Sequence, residues 1–319
     1  MRDLTDDASS LAGRLGPVTQ PWQIGGRTYA LPYTFGIVGF WYNTEHFAQA
    51  GITREPATLA ELYAAIDALK AAGITPIAVG AVDGWPAVHY WSNLALKACA
   101  PAVLEAARAH LVFDDPCFVR AGELLGELIA SEPFNEGYLA TGSGTGQSPA
   151  DLLATGQVAM ELMGWWEPAV MGRALSETGA ETATPPQFLD WFPFPAVEGG
   201  DGDPSAVLGG GSGFSVAADA PPEAVDLLRY LLSEDVQQRF AATGEGLPAL
   251  PAAHDSITDP YQRMVVEGIS GARYAHLWFD TSYGPVVGSA MNEAVVNFFF
   301  GQGTPEGVVE AMRVAARGR

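Results

Sequence analysis

Residues 156–170, GQVAMELMGWWEPAV, set the tightest limit on what this chain can fold into. Residues 158–162 form a short apolar run bounded by Gly156 and Gly164, which reads as a buried strand. Gly164, Trp165 and Trp166 follow, and Glu167-Pro168 reads as the start of a helix, because proline is well accepted in a first helical turn. In open α/β sheets, ligands sit outside the carboxyl ends of the strands, and two indoles stand at that point here. The structural alternative makes both of them core residues. Successive residues leaving a strand point different ways, so one indole at most is expected to face a cleft, and Trp166 is the choice.

The rest of the chain alternates in the same manner. Residues 24–31 read as a hairpin turning at Gly25-Gly26, and residues 36–42 (GIVGFWY) as a second buried strand. Thr58 with Glu61 three residues later is a capping box, opening a helix with Leu59, Leu62, Ile66 and Leu69 at helical spacing. Gly73 stops it before a strand at residues 77–79. That strand–helix–strand order predicts a unit of parallel sheet. Asp115-Pro116 and Ser148-Pro149 open further helices, with the flexible glycine-rich stretch 141–146 (TGSGTG) before the second. Helices are also expected after Pro221, Ser233 and Pro260, over 286–300 and over 305–316, the last capped by Thr304. Residues 274–280 read as a strand or an extended crossing. The fold class is α/β.

With 319 residues, the chain has room for two domains of ordinary size. The formal charge of −21, with lysine only at positions 70 and 97, weighs against nucleic acid and anionic membrane surfaces as partners. No stretch is apolar for long enough to span a bilayer, and MRDLTDDASS carries no signal segment, so the sequence taken as it stands reads as cytoplasmic. Cys99 and Cys117 allow either two free thiols or one disulfide.

Catalytic patterns are thin. The five histidines are scattered without HExxH, and no GxSxG elbow occurs. Residues 209–217 (GGGSGFSVA) match neither a phosphate loop nor a dinucleotide site. Asp201 and Asp203 sit in a turn without the twelve-residue calcium pattern, so no metal is expected. Glu161 and Glu167 could form the acid/base pair of a glycoside hydrolase, or a structural pair inside a strand and at a helix start. The remaining candidates are aromatic and polar groups near element ends: Trp85, Trp91, Trp166, Trp278 and Tyr283, with Asp83, Asn93, Ser212 and Asp280. Flat aromatic faces over C–H surfaces, with carboxylates and amides taking hydroxyls, suit a sugar.

At this point the chain resembles a known family, the extracellular solute-binding proteins of ABC transporters, family 1, of the maltose-binding type. The segments that carry the resemblance are GGRTYALPY (25–33), GFWYNTEHFAQAGI (39–52), PATLAELYAAIDALKAAGITPIAVG (56–80), GQVAMELMGWW (156–166) and FFFGQGTPEGVVEAM (298–312). The resemblance implies an α/β fold, periplasmic-binding-protein-like of type II, with two lobes joined by hinge strands and ligand trapped as they close. It assigns residues 1–35 and 215–255 to the first lobe, and 36–214 and 256–319 to the second. It implies a neutral oligosaccharide as ligand, ABC permease subunits as partners, a monomer, no catalysis, no cofactor and an extracytoplasmic location. The ligand-binding residues it points to are Tyr33, Trp85, Trp166, Gly211, Ser212, Asp280 and Tyr283.

One departure accompanies the resemblance. Relatives begin with a secretion or lipoprotein signal and then the opening units of the first lobe, and this chain starts after them. The first lobe is therefore expected to be incomplete, with an unpaired sheet edge and apolar helix faces exposed. Such a half-lobe is expected to be unstable alone or to recruit a partner. This leaves a truncated, non-binding remnant or interaction protein as the alternative to a sugar receptor.

Overall fold

The computed structural model describes residues 1–7, 9–142, 147–176 and 184–318, and the chain divides into two units. Residues 1–37 and 205–278 form the first, and 38–204 and 279–318 the second among the described residues. Of the glycine-rich stretch 141–146, residues 143–146 lie outside the described residues.

The first unit opens with α1 (Ser9–Leu15) and a 3₁₀ segment (Gly16–Trp22). Strands β1 (Gln23–Ile24) and β2 (Arg27–Thr28) then form the expected hairpin, with Gly25 and Gly26 both at positive φ, where a side chain would be strained. After β3 (Ala30–Pro32) the chain enters β4 (Gly36–Asn43), which begins in the first unit and ends in the second.

All eight residues of β4 are buried, as a continuous apolar run predicts. Asn43 ends the strand and caps α2 (Thr44–Gln49), its Oδ1 accepting from the Glu45 and His46 amides at 2.9 and 3.1 Å. Thr58 caps α3 (Leu59–Ala71), but the expected box is only half formed. The Glu61 carboxylate accepts from the Ala57 amide and pairs with Arg54 instead of returning to Thr58. Strand β5 (Thr75–Ala78) leads into α4 (Trp85–Ala98), followed by α5 (Pro101–His110) and α6 (Cys117–Ala130). A disulfide joins Cys99, at the end of α4, to Cys117, at the head of α6. Ser148 and Asp151 form a complete capping box on α7 (Pro149–Ala154). Then come β6 (Val158–Gly164), α8 (Glu167–Leu175) and β7 (Leu189–Pro193).

Within the second unit the strand order is β7–β4–β6–β5. Strand β4 runs antiparallel to both its neighbours, whereas β5 and β6 are parallel. The predicted parallel unit of β4, α3 and β5 is thus corrected: the two strands do not pair and they run in opposite senses. Apolar periodicity marks a buried strand without encoding its direction.

The chain returns to the first unit at Ser205, earlier than the expected residue 215, and leaves it after Trp278, not at 255. Pairing sets these limits. Strand β8 (Val207–Gly210) pairs with the start of β4, β9 (Gly213–Ser215) with β3, and β10 (Ala275–Leu277) lies parallel to β8. Between β9 and β10 lie α9 (Glu223–Leu231), α10 (Glu234–Thr243) and α11 (Pro260–Ser270). Leu227 (57% exposed) and Tyr230 (56%) of α9 leave apolar surface on this unit. Helices α12 (Phe279–Ser282), α13 (Gly284–Phe299) and α14 (Pro305–Arg317) complete the second unit, Thr304 capping the last through the Gly307 amide.

Candidate functional site

Because β5 and β6 are parallel, their carboxyl ends share one edge of the second unit's sheet. The chain leaves β5 through a 3₁₀ turn (Ala81–Asp83) and Gly84, at φ 78°, to start α4 at Trp85. It leaves β6 at Gly164 and passes through Trp165 and Trp166 to start α8. The two exits bring the Trp85 and Trp166 rings to 6.3 Å between centroids, tilted by 55°, and Trp165 lies edge-on to Trp166 at 6.1 Å. All three indoles are half-buried. A Cβ on Gly164 would overlap the far end of the Trp166 ring, which would have to shift.

Two polar groups adjoin the aromatic cluster. His89, one turn along α4, meets Trp85 edge-on at 5.4 Å. Its burial pushes the imidazole down to about 4, against the opposing pull of the Asp280 carboxylate, so His89 is neutral near pH 7. Asp280 is half-buried and held in place, Oδ1 accepting from the Thr281 amide at 2.7 Å and Oδ2 from Asn292 Nδ2 at 3.2 Å. A Cβ at Gly288 of α13 would overlap the Asp280 backbone, which explains the glycine there.

Glu161 and Glu167 lie beneath the indole turn, 2% and 3% exposed. Burial raises both groups above the usual carboxylate range, Glu167 to about 8, and the neighbouring Glu167 pushes Glu161 further up. A glycosidase pair must flank a sugar with its carboxyls about 5–9.5 Å apart. Sealed from solvent, these two leave no space for a sugar ring and do not present that geometry.

In the first unit, Tyr33, Gly211 and Ser212 converge. The Ser212 carbonyl accepts from the Tyr33 and Thr34 amides at 2.8 and 3.0 Å, and Thr34 Oγ1 accepts from the Ser212 amide at 2.8 Å. Gly211 is pressed against the Thr34 carbonyl so closely that a Cβ would overlap it. Gly211 and Ser212 are exposed, and the half-buried Tyr33 ring packs against Phe214 and Phe240 at 5.7 and 5.0 Å. Trp278 lies over Gly210 in the same unit.

Three candidates fall elsewhere. Tyr283 is 1% exposed, enclosed by Phe113 and Phe279, so it offers no surface to a ligand. Trp91 is fully buried against Phe118 and Phe279. Asn93 is buried and donates to the His89 carbonyl one helical turn back. Each lies within a helix or next to one, and sequence position near an element end did not reveal that its side chain turns inward. Trp165 and His89 belong to the cluster without having been singled out. The glycine before the two indoles was the available signal, because it lets Trp166 fold back over the strand and leaves room for both rings.

The turn at 199–203 is built around a side chain. The buried Lys97 ammonium donates to the Pro204 carbonyl at 2.8 Å and faces Asp203. The Asp201 and Gly202 amides donate to the carbonyls of Ala98 and Lys97. Among the described residues no group of three or more His, Cys, Asp and Glu side chains is arranged to hold a metal, and no helix is long and apolar enough to cross a membrane.

The profile of one family, bacterial extracellular solute-binding protein, matches residues 3–238. No curated protein sequence matches the chain. Among solved structures, a chitin oligosaccharide binding protein is 26% identical, with a TM-score of 0.73 over 99% of this chain and 78% of that one. The bacterial solute receptor AcbH, described as having an exclusive preference for β-D-galactopyranose, is 20% identical with a TM-score of 0.80 over 99% and 79%. The GacH receptor of Streptomyces glaucescens, solved unliganded and with acarbose, is 20% identical with a TM-score of 0.66 over 100% and 78%.

Proposed function

The chain belongs to the bacterial extracellular solute-binding protein family, and from that premise we propose that it is the sugar-capturing component of an ABC importer. The proposed ligand is a neutral oligosaccharide, and the observation that carries the reading is the half-buried triad of Trp85, Trp165 and Trp166 at the carboxyl ends of two parallel strands. Indole faces take the C–H surfaces of a sugar ring, each stack contributing about 0.5–1.5 kcal/mol, and Asp280 accepts from hydroxyls. Tyr33, Gly211 and Ser212 are the first unit's candidates for ligand contact. The structural relatives described as binding chitin oligosaccharide, β-D-galactopyranose and acarbose support a sugar over other solutes.

The protein works as a binder with no catalytic step and hands its sugar to membrane-embedded permease subunits. The Cys99–Cys117 disulfide and the family's extracellular description both favour a location outside the cytoplasm, where such bonds persist. Phosphorylated ligands would want an arginine clamp, which the indole cluster lacks among the described residues that form it.

The test is calorimetric titration of the 319-residue chain with chitotriose, maltotriose and D-galactose, repeated on Trp166→Ala. Saturable binding that the substitution weakens supports the reading. Absence of heat and of any thermal shift across the panel would overturn it in favour of an interaction protein docking through the apolar surface of Leu227 and Tyr230.

A further inference from the structure

The glycine-rich stretch 209–213 matches no phosphate or dinucleotide pattern, and its neighbours in the first unit give its glycines another reason. Strand β8 ends at Gly210, and a Cβ there would overlap the pyrrole side of the Trp278 indole. Trp278 directly follows β10, and its amide donates to the Gly209 carbonyl at 3.0 Å. Because β8 and β10 are parallel, Gly210 and Trp278 mark the carboxyl ends of two neighbouring strands.

The second unit repeats this construction. Strand β6, parallel to β5, ends at Gly164, and a Cβ there would overlap the far end of the Trp166 ring. In each unit, then, a strand of a parallel pair ends in a glycine that leaves room for an indole. Carboxyl ends of parallel strands are where open α/β sheets receive their ligands. Trp278 is half-buried like Trp166, whereas Trp41 and Trp91 are fully buried.

We infer that Trp278 is an aromatic platform of the first unit for a neutral sugar, the counterpart of Trp166 in the second. This rests on the reading of the protein as a sugar receptor. The groups beside the platform suit an uncharged ring. Gly211 and Ser212 lie exposed directly beyond Gly210, and Thr34 Oγ1 fixes the turn by accepting from the Ser212 amide at 2.8 Å. Neither they nor Tyr33 and Thr34 carry a charge. Asp280, the carboxylate beside the second unit's indoles, stands two residues further along the chain. An indole face packs on the C–H surface of a sugar ring while hydroxyl, backbone and carboxylate oxygens take its hydroxyls.

The experiment uses the full chain labelled with 5-fluorotryptophan, which places one fluorine on each of its eight indoles. Trp278→Phe and Trp166→Phe assign the two signals that matter, and chitotriose, maltotriose and D-galactose are titrated in turn. The Trp278 signal should move saturably, with the same midpoint as the heat of binding. Its displacement between H2O and D2O, which reports contact with solvent, should shrink at saturation as the sugar covers the ring. By calorimetry, Trp278→Ala should weaken binding about two- to tenfold, the worth of one stacked ring. Gly210→Ala, whose Cβ displaces the indole without removing it, should weaken binding as well. Thermal melts establish that each variant is folded, and if Trp278→Ala is not, the fluorine signals of the wild-type chain still decide. A sugar that moves the Trp166 signal while leaving the Trp278 signal and its solvent displacement unchanged would overturn the inference and leave the receptor reading intact. A folded Trp278→Ala that binds as wild type would do the same. If no sugar gives heat or moves either signal, the receptor reading fails and this inference falls with it.

Discussion

Reducing the Cys99–Cys117 bond should cost the second unit about 3 kcal/mol. The two cysteines are 18 residues apart, and the chain-entropy relation for a loop of that size gives about 3 kcal/mol at 25 °C. Reduction leaves both sulfurs in place, so it opens the loop without creating a cavity at the fully buried Cys99. Cys117 is half-buried, which gives reductant access to the bond. For a unit of roughly 200 residues, one kcal/mol moves a midpoint by about 2–4 °C, so the expected downward shift is about 6–12 °C. Scanning calorimetry with and without reductant measures it, and thiol titration verifies that the bond has opened. The Cys99→Ala/Cys117→Ala double variant should show at least the same loss and no further response to reductant. A verified reduction that moves the midpoint by less than about 2 °C would refute the reasoning, because the bridge would then close a loop that α4 and α6 already hold.

Trp166→Ala should weaken sugar binding by about 1–3 kcal/mol, the worth of one stacked face with its buried area, read by calorimetry. Gly164→Ala should cost about as much affinity for a different reason: its Cβ overlaps the Trp166 ring and drives it outward. Because that ring is only half-buried and has room to move, the fold itself should lose only about 1 kcal/mol, at the low end of overpacking costs, in a urea melt. Lys97 is pushed down to about 8 by burial, from the ordinary 10.5. A depressed folded-state value means the unfolded chain holds the proton more tightly between those two pH values. Wild type should therefore gain about 3 kcal/mol relative to Lys97→Met from pH 8 to 10.5, and denaturant midpoints along that interval check it.

Much of the architecture was legible because its signals are local. Thr58, Ser148 and Thr304 announce helix starts through side chains that bond to amides only two or three residues away, and Gly25-Gly26 announces the hairpin through backbone freedom. Helix α2 was missed because its cap, Asn43, is also the last residue of an apolar strand. The sense of β4 and the return at Ser205 depend on pairings with distant strands that no local pattern records. The same distinction separates the site residues. Trp85 and Trp166 stand where parallel strands end, which topology rules identify, whereas Trp91 inside α4 and Tyr283 at the head of α13 turn their rings into the core. The acidic turn at 199–203 resembles half of a metal loop until Lys97, a hundred residues away in sequence, supplies the cation.

Where charge is absent explains why the indole cluster suits an uncharged guest on a protein of net charge −21. His89 is kept neutral by burial, and burial raises Glu161 and Glu167 beneath the turn above the usual carboxylate range. Asp280 is the carboxylate beside the cluster, and the Thr281 amide and Asn292 fix its direction while an anionic carboxylate still has lone pairs to offer a hydroxyl. An anionic ligand would meet that carboxylate with no compensating cation among the described residues of the cluster, and a cationic one would find Glu161 and Glu167 buried and held above the usual carboxylate range. On the proposed reading, a hydroxylated, uncharged ligand would meet neither electrostatic cost, and the indoles, tilted by 55° and 77° to one another, would offer it aromatic contacts.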